Sequence, residues 1–378
     1  MNNKLSLRNY KSAEKRREFL EKELNVKLNN ISNFSFTEES VTGRNIENLI
    51  GATQIPLGVA GPLKLKNKNF YIPLATTEGA LVASISRGAK AITESGGATV
   101  SVENVGITRG PVFKTTGIEH GFAVKKWIET HISLISQVTQ KTSSHLKLLQ
   151  IDPAIVGRNI FLRFYFDTQD AMGMNMATIA TQEAVRLIEK ETKAKCISVA
   201  GNFDIDKKPA WLNFINGRGK KVWAEVIIPA KIVQDTLKTT PEKIVELVNT
   251  KNHLGSILAG SIGFNAHFAN IIAAIFLATG QDPAHVVEGS MGITTAEVLP
   301  SGEVYFSIYL PALVVGTVGG GTHLPTQQEA LKLMQAKDVL EYAQIVAASV
   351  LAGELSLLAS LTEGTLAKAH TKLGRKKS

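Results

Sequence analysis

The segment that most constrains the fold is Leu254–Gly280, which is rich in Ala, Gly, Ser and Ile and apolar on nearly all sides. A helix of this composition must be buried all round, and its small residues let neighbouring elements approach closely. We therefore predict that the segment is the long central helix of a large, mainly helical domain. Because 378 residues exceed what one core usually organises, a second domain is expected as well.

The remaining chain changes character several times. Residues 1–46 are polar and helix-prone, and the following stretch alternates aliphatic residues with Gly and Pro, which predicts extended segments and tight turns. Periodicity then predicts both helices and strands. The predicted helices are Leu81–Thr93, Phe122–Leu149, Met174–Lys190 and Asp338–His370, and the predicted strands are Asn159–Asp167, Lys195–Val199, Val222–Ile228 and Glu303–Tyr309.

These elements predict an α+β fold in which a small α/β unit is inserted into the large domain. If Gly51–Gly97 and Leu254–Gly280 share one core, the chain must leave that core and return to it. The predicted parts are an N-terminal helical segment (1–46), the large domain (47–108 and 210–378), the small domain (109–198) and a connecting loop (199–209). Ligand sites commonly form at such a crossing between domains.

Composition excludes several classes of function. The net charge of +9 comes largely from the terminal runs Lys11–Arg17 and Lys372–Lys377, and no nucleic-acid-binding motif accompanies either run. One cysteine and few histidines, without HExxH spacing, predict no metal site and a reducing compartment. Met1–Arg8 is polar, and the apolar run Ile271–Thr279 is too short to cross a bilayer. We expect a cytoplasmic protein without nucleic-acid or membrane partners.

Several polar residues could carry chemistry, although each also has an ordinary structural explanation. Glu78 could simply begin a helix, Asp282 could be a turn residue before proline, and His370 could end a helix. The pair Lys207–Lys208 could belong to a solvated turn. The residues alone leave both interpretations open.

Two glycine-containing segments are candidate ligand-binding loops. Asp170–Asn175 (DAMGMN) lies between a predicted strand and a predicted helix, an arrangement that suits anion binding at a helix N-terminus. Gly316–Pro325 (GTVGGGTHLP) offers a surface without side chains for a flat ligand or a phosphate. Neither segment is GxGxxG, which argues against a Rossmann fold.

The motifs together resemble one enzyme family in the same order from Glu47 to His370. They are ENLIG, ATTEGALVAS, GITRGP, DAMGMNM, GN…DKKPA, AGSIGFNAHFAN, GQDPA, GTVGGGT and AGELSL, followed by a histidine near the C-terminus. This set resembles the catalytic portion of 3-hydroxy-3-methylglutaryl-coenzyme A (HMG-CoA) reductase, in the branch shared by eukaryotes and archaea. The resemblance implies a large domain around a long buried helix, with an inserted small ferredoxin-like domain that binds the dinucleotide.

The resemblance also implies a reaction, the four-electron reduction of HMG-CoA to mevalonate with release of coenzyme A. Lys207 matches the catalytic lysine that stabilises the developing oxyanion. His370 matches the proton donor to the coenzyme A thiolate, and Glu78 matches the acid that protonates the second alkoxide. Asp282 matches the carboxylate that keeps the lysine and the glutamate in their working protonation states.

Further residues match binding positions of the family. The substrate set is Ser84, Arg87, Arg109, Asp206, Lys208, Lys251 and Asn270. The cofactor set is Asp170, Met172, Gly173, Met174, Asn175, Gly316, Thr317, Gly319, Gly320, Gly321 and Thr322. The implied cofactor is NADPH, with NADH possible, and the implied assembly is a homodimer or larger homo-oligomer whose active sites form between subunits.

The sequence departs from the family pattern at three places. Ala200 stands where a serine would contact the HMG group, Ser143-Ser144 stands where Ser-Arg would meet the 2′-phosphate of NADPH, and Lys376 replaces a regulatory serine. The second departure leaves open an NAD-dependent enzyme that degrades mevalonate. An inactive homologue that binds coenzyme A is a further alternative.

Overall fold

The structure is a computed structural model that describes residues 6–364; His370 and the basic run Lys372–Lys377 lie outside the described residues. The helices are α1 Ala13–Leu24, α2 Glu38–Val41, α3 Leu81–Glu94, α4 Ile118–Thr130, α5 Ile132–Gln140, α6 Met174–Thr192, α7 Trp211–Asn216, α8 Ala230–Ile232, α9 Pro241–Leu247, α10 Ser256–Leu258, α11 Phe268–Thr279, α12 Val286–Gly289, α13 Pro325–Met334 and α14 Val339–Thr362. The strands are β1 Leu57–Leu65, β2 Lys68–Ala75, β3 Thr99–Arg109, β4 Val112–Lys114, β5 Lys147–Val156, β6 Asn159–Asp167, β7 Lys195–Ser198, β8 Gly219–Ile228, β9 Gly263–Phe264, β10 Gly292–Val298 and β11 Val304–Leu313. Turns of π-helix, Val233–Leu237 and Val248–Gly255, follow α8 and α9.

The core of the larger part surrounds α14. Almost every residue of this helix from Tyr342 to Ala359 is buried. Helix α3 crosses α14 so closely that a Cβ added to Gly88 would lie 1.9 Å from the carbonyl oxygen of Ala352. By length and composition α14 could span a membrane, but 78% of its apolar window is buried inside the fold. It is therefore the long core helix.

The prediction of one long helix over Leu254–Gly280 is wrong. The structure divides this segment into the end of a π-helical turn, α10, β9 and α11, and only α11 is buried along most of its length. Leu254 and Leu258 are 63% and 91% exposed. Gly260 adopts a left-handed conformation with φ of +69°, just after α10 ends. Apolar composition alone did not reveal this interruption.

One large sheet runs through the described part of the chain, with the strand order β7-β4-β6-β3-β8-β11-β10-β9 and with β5 on β6. Strand β3 connects its two parts, because residues Thr99 to Gly106 pair with β8 while Ile107 to Arg109 pair with β6. The chain therefore passes between the two parts inside a strand. The predicted boundary between residues 108 and 109 falls within β3.

Residues 112–198 have the element order β4, α4, α5, β5, β6, α6, β7. Strand β6 pairs with β5 on one edge and with β4 on the other, and β4 pairs with β7, all antiparallel. Apart from the break that divides the first helical stretch into α4 and α5, this is the strand–helix–strand–strand–helix–strand order of ferredoxin-like folds. The core of this part contains Phe113, Phe164 and Phe166 and the alanine face of α6.

Most of the predicted elements agree with the structure to within a few residues, namely α3, α6, β6, β7, β8 and β11. The helix predicted over Asp338–His370 begins as expected, but α14 ends at Thr362, and residues 365–370 lie outside the described residues. The helix predicted over Phe122–Leu149 is wrong in its last part, since α5 ends at Gln140 and β5 begins at Lys147. Leu146 and Leu148 are buried while Leu149 is exposed, so the burial period there is two, as in a strand.

Candidate active site

The loop between β7 and α7 carries the lysine pair and has an unusual backbone. Asn202, Ile205 and Lys207 all have positive φ values, of 65°, 53° and 56°. Side chains disfavour this left-handed conformation, so the surrounding structure must hold it in place. The Gly201 N–H donates to the carbonyl oxygen of Gly110 at 2.6 Å, which fastens the loop to the junction of β3 and β4.

A buried aspartate anchors the middle of this loop. The Asp204 carboxylate lies 3.3 Å from Arg109 Nη1, and its backbone carbonyl accepts a hydrogen bond from Thr108 Oγ1 at 2.8 Å. Burial raises the pKa of Asp204, and the charges of Arg109 and Arg218 oppose that rise. Arg109, predicted to bind the substrate carboxylate, is thus already paired within the protein.

Lys207 and Asp282 meet at the surface of this loop. Lys207 Nζ lies 2.7 Å from Asp282 Oδ2, with the two side chains 40% and 30% exposed. Burial by itself would raise the pKa of Asp282, but hydrogen bonds from Lys207 and from the Ala284 N–H, together with the charge of His285, lower it. The structure therefore brings together two of the four predicted catalytic residues as an ion pair.

A buried polar cluster lies directly beneath this pair. Glu288 Oε1 accepts hydrogen bonds from the Lys207 N–H at 3.2 Å, from Arg218 Nη1 at 2.6 Å and from His285 Nδ1 at 2.8 Å. Arg218 also pairs with Asp206 Oδ1 at 2.9 Å. Arg218, His285 and Glu288 are all fully buried. The loop thus rests on a set of charges that largely neutralise one another.

The same cluster contains residue types that could bind a metal. Asp206, His285 and Glu288 place ligand atoms within 4.8 Å of one another. The guanidinium of Arg218, however, bonds both carboxylates and supplies the positive charge that an ion would bring. The donor set therefore fits an ion-pair network better than a metal site.

The other predicted substrate residues lie in different surroundings. Lys208 is exposed, and its Nζ donates to the Asp206 carbonyl oxygen at 3.2 Å. Lys251 and Asn270 are exposed on the turn after α9 and on the first turn of α11. Within residues 6–364, neither of the two lysines forms a salt bridge, so both remain available to a ligand.

Ser84 and Arg87, predicted to bind coenzyme A, connect α3 to α14. Ser84 Oγ and Arg87 Nε both donate to Ser356 Oγ at 3.0 Å, and the guanidinium also bonds Ser360. Burial lowers the pKa of Arg87. Both predicted residues therefore also help to hold these two helices together.

The structure brings the two predicted cofactor-binding segments together. The carbonyl oxygen of Asp170 accepts a hydrogen bond from the Thr317 N–H at 2.8 Å, and Ala171 pairs with Val318 as in a parallel bridge. A Cβ on Gly316 would lie 2.4 Å from the Met172 nitrogen, so this approach requires glycine. The remaining predicted members of the second segment continue from Thr317: Gly319, Gly320, Gly321 and Thr322.

The first turn of α6 faces this junction. Gly173 precedes the helix with φ of +86°, and no side chain caps the helix. The N–H groups of Met174 and Asn175 are therefore available to an anion. Met174 Sδ lies 3.1 Å from Arg218 Nη2, which places the start of α6 against the cluster beneath Lys207.

Glu78, a third predicted catalytic residue, forms no hydrogen bond or salt bridge with Lys207 among the described residues. Glu78 is exposed in the turn before α3, and its backbone N–H donates to Thr76 Oγ1 at 3.0 Å. Among the described residues, its carboxylate forms no salt bridge. His370 lies outside the described residues.

Sequence reasoning missed the cluster of Arg218, His285 and Glu288. A sequence signal existed, because His285 and Glu288 follow Asp282 at intervals of three residues and would lie on one face of a helical turn. Arg218 had no comparable signal, since it reaches the cluster from the start of β8.

The site combines a lysine–aspartate pair, an uncapped helix N-terminus and a glycine-lined wall. The 3.1 Å contact of Met174 Sδ with Arg218 joins the helix start to the cluster beneath the pair. A fixed cation can stabilise negative charge on a carbonyl oxygen, and a helix N-terminus can hold a phosphate. This arrangement suits an enzyme that reduces a carbonyl compound with a dinucleotide.

Comparisons with known proteins identify the family. Residues 12–375 match the family described as hydroxymethylglutaryl-coenzyme A reductase. A protein of Methanocaldococcus jannaschii named 3-hydroxy-3-methylglutaryl-coenzyme A reductase is 52% identical over 96% of this chain and 93% of its own length. The equivalent protein of Pyrococcus horikoshii is 50% identical over 96% of this chain and 92% of its length. The chain belongs to the HMG-CoA reductase family.

Solved structures share the fold. A class II HMG-CoA reductase from Streptococcus pneumoniae, bound to NADPH in open conformations, aligns with a TM-score of 0.72. The alignment covers 95% of this chain and 100% of that chain at 19% sequence identity. At this identity the likeness concerns the mixed α+β fold.

Proposed function

We propose that this chain reduces HMG-CoA to mevalonate and coenzyme A in two successive hydride transfers. Each transfer oxidises one NADPH, and the two steps together consume two protons. The observation that carries the proposal is the 2.7 Å Lys207–Asp282 pair, which rests on a buried cluster whose Arg218 also contacts Met174 at the uncapped start of α6. Its support is the chain's similarity, at about half of all positions, to archaeal proteins named as this reductase.

Lys207 is the proposed cation for both reductions. Hydride addition to the thioester carbonyl, and later to the aldehyde, places negative charge on the same oxygen, and a fixed ammonium group stabilises that charge. Asp282 holds the ammonium group in position through its 2.7 Å contact. The lowered pKa of Asp282 favours its ionised form, which pairs with the lysine.

Glu78 and His370 complete the proposed chemistry as proton donors to the second alkoxide and to the coenzyme A thiolate. Glu78 forms no salt bridge within residues 6–364, and its exposed position leaves it accessible to another copy of the chain. We therefore propose a homodimer or larger assembly in which Glu78 of one subunit faces Lys207 of the other.

The proposed dinucleotide site lies between Asp170–Asn175 and Gly316–Thr322. When bound, NADPH supplies the hydride. The free N–H groups of Met174 and Asn175 suit its phosphates, and the space around Gly319 and Gly320 is open to a ligand. We propose that residues 109–198 form the dinucleotide-binding domain, that residues 47–108 and 210–378 form the substrate domain, and that residues 199–209 form the catalytic loop between them.

The proposed substrate contacts use the cations around the loop. Lys208 and Lys251 are exposed and free of salt bridges in the described part of the chain, so they can bind the HMG carboxylate together with Arg109. Asp206 and Asn270 would position the hydroxyl and carbonyl groups. Ser84 and Arg87 would meet coenzyme A at the edge of α3. The cytoplasmic location predicted from the sequence belongs to the same proposal.

The test is a steady-state assay of the purified chain with HMG-CoA and either NADPH or NADH. The expected result is coenzyme A release with two nicotinamides oxidised per thioester, and faster turnover with NADPH. No HMG-CoA-dependent oxidation would contradict the proposal and favour the inactive homologue. Faster mevalonate oxidation with NAD and coenzyme A would instead favour the degradative direction, to which Ser144 in place of an arginine gives some support.

A further inference from the structure

We propose that Glu288 and His285 are positioning residues for Lys207, an inference that rests on the proposed reductase function. One oxygen of Glu288 fastens the backbone of Lys207 to the segment that carries Asp282, and the ring of His285 fixes the direction of that carboxylate. Neither side chain has a place in the chemistry proposed above.

The first observation is the contact between Glu288 and the catalytic loop. The Lys207 N–H donates to Glu288 Oε1 at 3.2 Å, and Lys207 adopts a φ of +56°. A left-handed non-glycine residue needs such a contact to remain in place. Since Asp282 begins the turn that leads into α12, Glu288 joins the lysine loop to the segment of its ion-pair partner.

The second observation is the way in which Glu288 itself is held. Arg218 Nη1 lies 2.6 Å from Oε1 and balances the charge of this buried carboxylate. His285 Nδ1 lies 2.8 Å from the same oxygen, and because a carboxylate only accepts hydrogen bonds, Nδ1 must carry the hydrogen. All three donors converge on Oε1, while Oε2 has no partner in the described residues.

The third observation concerns the other edge of the imidazole. His285 Nε2 is buried without a hydrogen-bond partner among residues 6–364, and it faces Asp282 Oδ2 at 3.8 Å. That distance is too long for a hydrogen bond, so Nε2 does not donate to Asp282. The hydrogen bond by which His285 supports the site is therefore the one from Nδ1 to Glu288 Oε1.

The two nitrogens of His285 can be tested separately. The side-chain amide of asparagine reaches about as far as Nδ1, whereas that of glutamine reaches about as far as Nε2. His285→Asn should retain the hydrogen bond to Glu288, and His285→Gln should lose it. Both variants leave the Arg218–Glu288 ion pair in place, so folding should survive, which thermal unfolding would check.

The expected result is a difference in kcat. His285→Gln should lower kcat about ten- to a hundredfold, the loss that follows from a small misplacement of a catalytic group. His285→Asn should stay within about threefold of the wild type. KM for HMG-CoA and NADPH should change by less than about threefold in both variants, because neither His285 nor Glu288 is among the proposed ligand contacts. His131→Asn and His131→Gln, at the junction of α4 and α5, are the matched controls.

A second measurement separates positioning from a general structural role. In a Lys207→Met background, His285→Gln should cause no further loss of kcat, since the group that it positions is already gone. Equal losses for His285→Asn and His285→Gln, or the same fold loss in both backgrounds, would overturn the inference. Failure of the proposed function would appear differently, as absence of reductase activity in the wild-type protein.

Discussion

Replacing Lys207 by methionine should separate catalysis from stability. Methionine keeps the length of the apolar stem and the same backbone requirement at φ of +56°, so the change removes only the ammonium group. The ion pair with Asp282 joins side chains that are 40% and 30% exposed. Exposed pairs of this kind contribute about 0–1 kcal/mol to the free energy of unfolding.

The expected effect on turnover is much larger. Removing one group that stabilises an oxyanion typically lowers kcat by about 10²- to 10³-fold, or about 2.7–4 kcal/mol. Because the same cation serves both hydride transfers, the loss should appear with HMG-CoA and with mevaldehyde as the substrate. The measurement is oxidation of NADPH under saturating conditions, paired with urea unfolding of the same preparations.

Lys208→Met is the matched control for this experiment. The Lys208 ammonium donates to a backbone carbonyl of its own loop at 3.2 Å and has no carboxylate partner within residues 6–364. Its removal should raise KM for HMG-CoA and leave kcat nearly unchanged. A loss of kcat below about tenfold in Lys207→Met, on either substrate, would refute the role assigned to Lys207.

Three further predictions concern stability and cofactor choice. Gly88→Ala should destabilise the protein by at least about 1–3 kcal/mol, since its Cβ would lie 1.9 Å from the Ala352 carbonyl oxygen. Gly117→Ala is the control and should be nearly neutral, because a Cβ there would have no atom within 4 Å. Urea unfolding of both variants measures the difference. The pKa of Asp282 is lowered in the folded state, so its ionised form adds stability above the unfolded pKa of about 3.9. Asp282→Asn should therefore be less stable than the wild type at neutral pH. This difference in the free energy of unfolding should vanish as the pH falls through the folded pKa. Ser144→Arg should lower KM for NADPH more than KM for NADH, and equal changes in initial-rate assays would argue against a nearby 2′-phosphate.

The sequence predicted most of the regular elements because their patterns are local. The alternation in β8 and the helical spacing of α3 and α6 are visible without any tertiary context. The family resemblance, rather than any local pattern, implied that the segments at Asp170 and Gly316 share one site, and the structure joins them through the hydrogen bond to the Asp170 carbonyl oxygen. Their relation to a cofactor was implied by family resemblance and remains a proposal.

Which helix lies at the centre was decided only by the tertiary structure. The segment after residue 254 and α14 are both rich in apolar residues, and composition does not show which of them is enclosed on every side. A left-handed Gly260 ends one short helix, while the close approach of α3 at Gly88 encloses the other. Burial depends on neighbours that are distant in sequence, and the local hydrophobic periodicity of a segment does not reveal them.

The active site shows the same contrast between what the sequence reveals and what only the tertiary structure reveals. The sequence by itself determined that Lys207 and Asp282 were candidates for chemistry, because their surrounding motifs are short and continuous. Only the tertiary structure decided that Arg218, His285 and Glu288 converge beneath them, from the bend before β8, a turn and a helix. Charges pair in a folded protein through space, so their partners become visible only when the chain has packed.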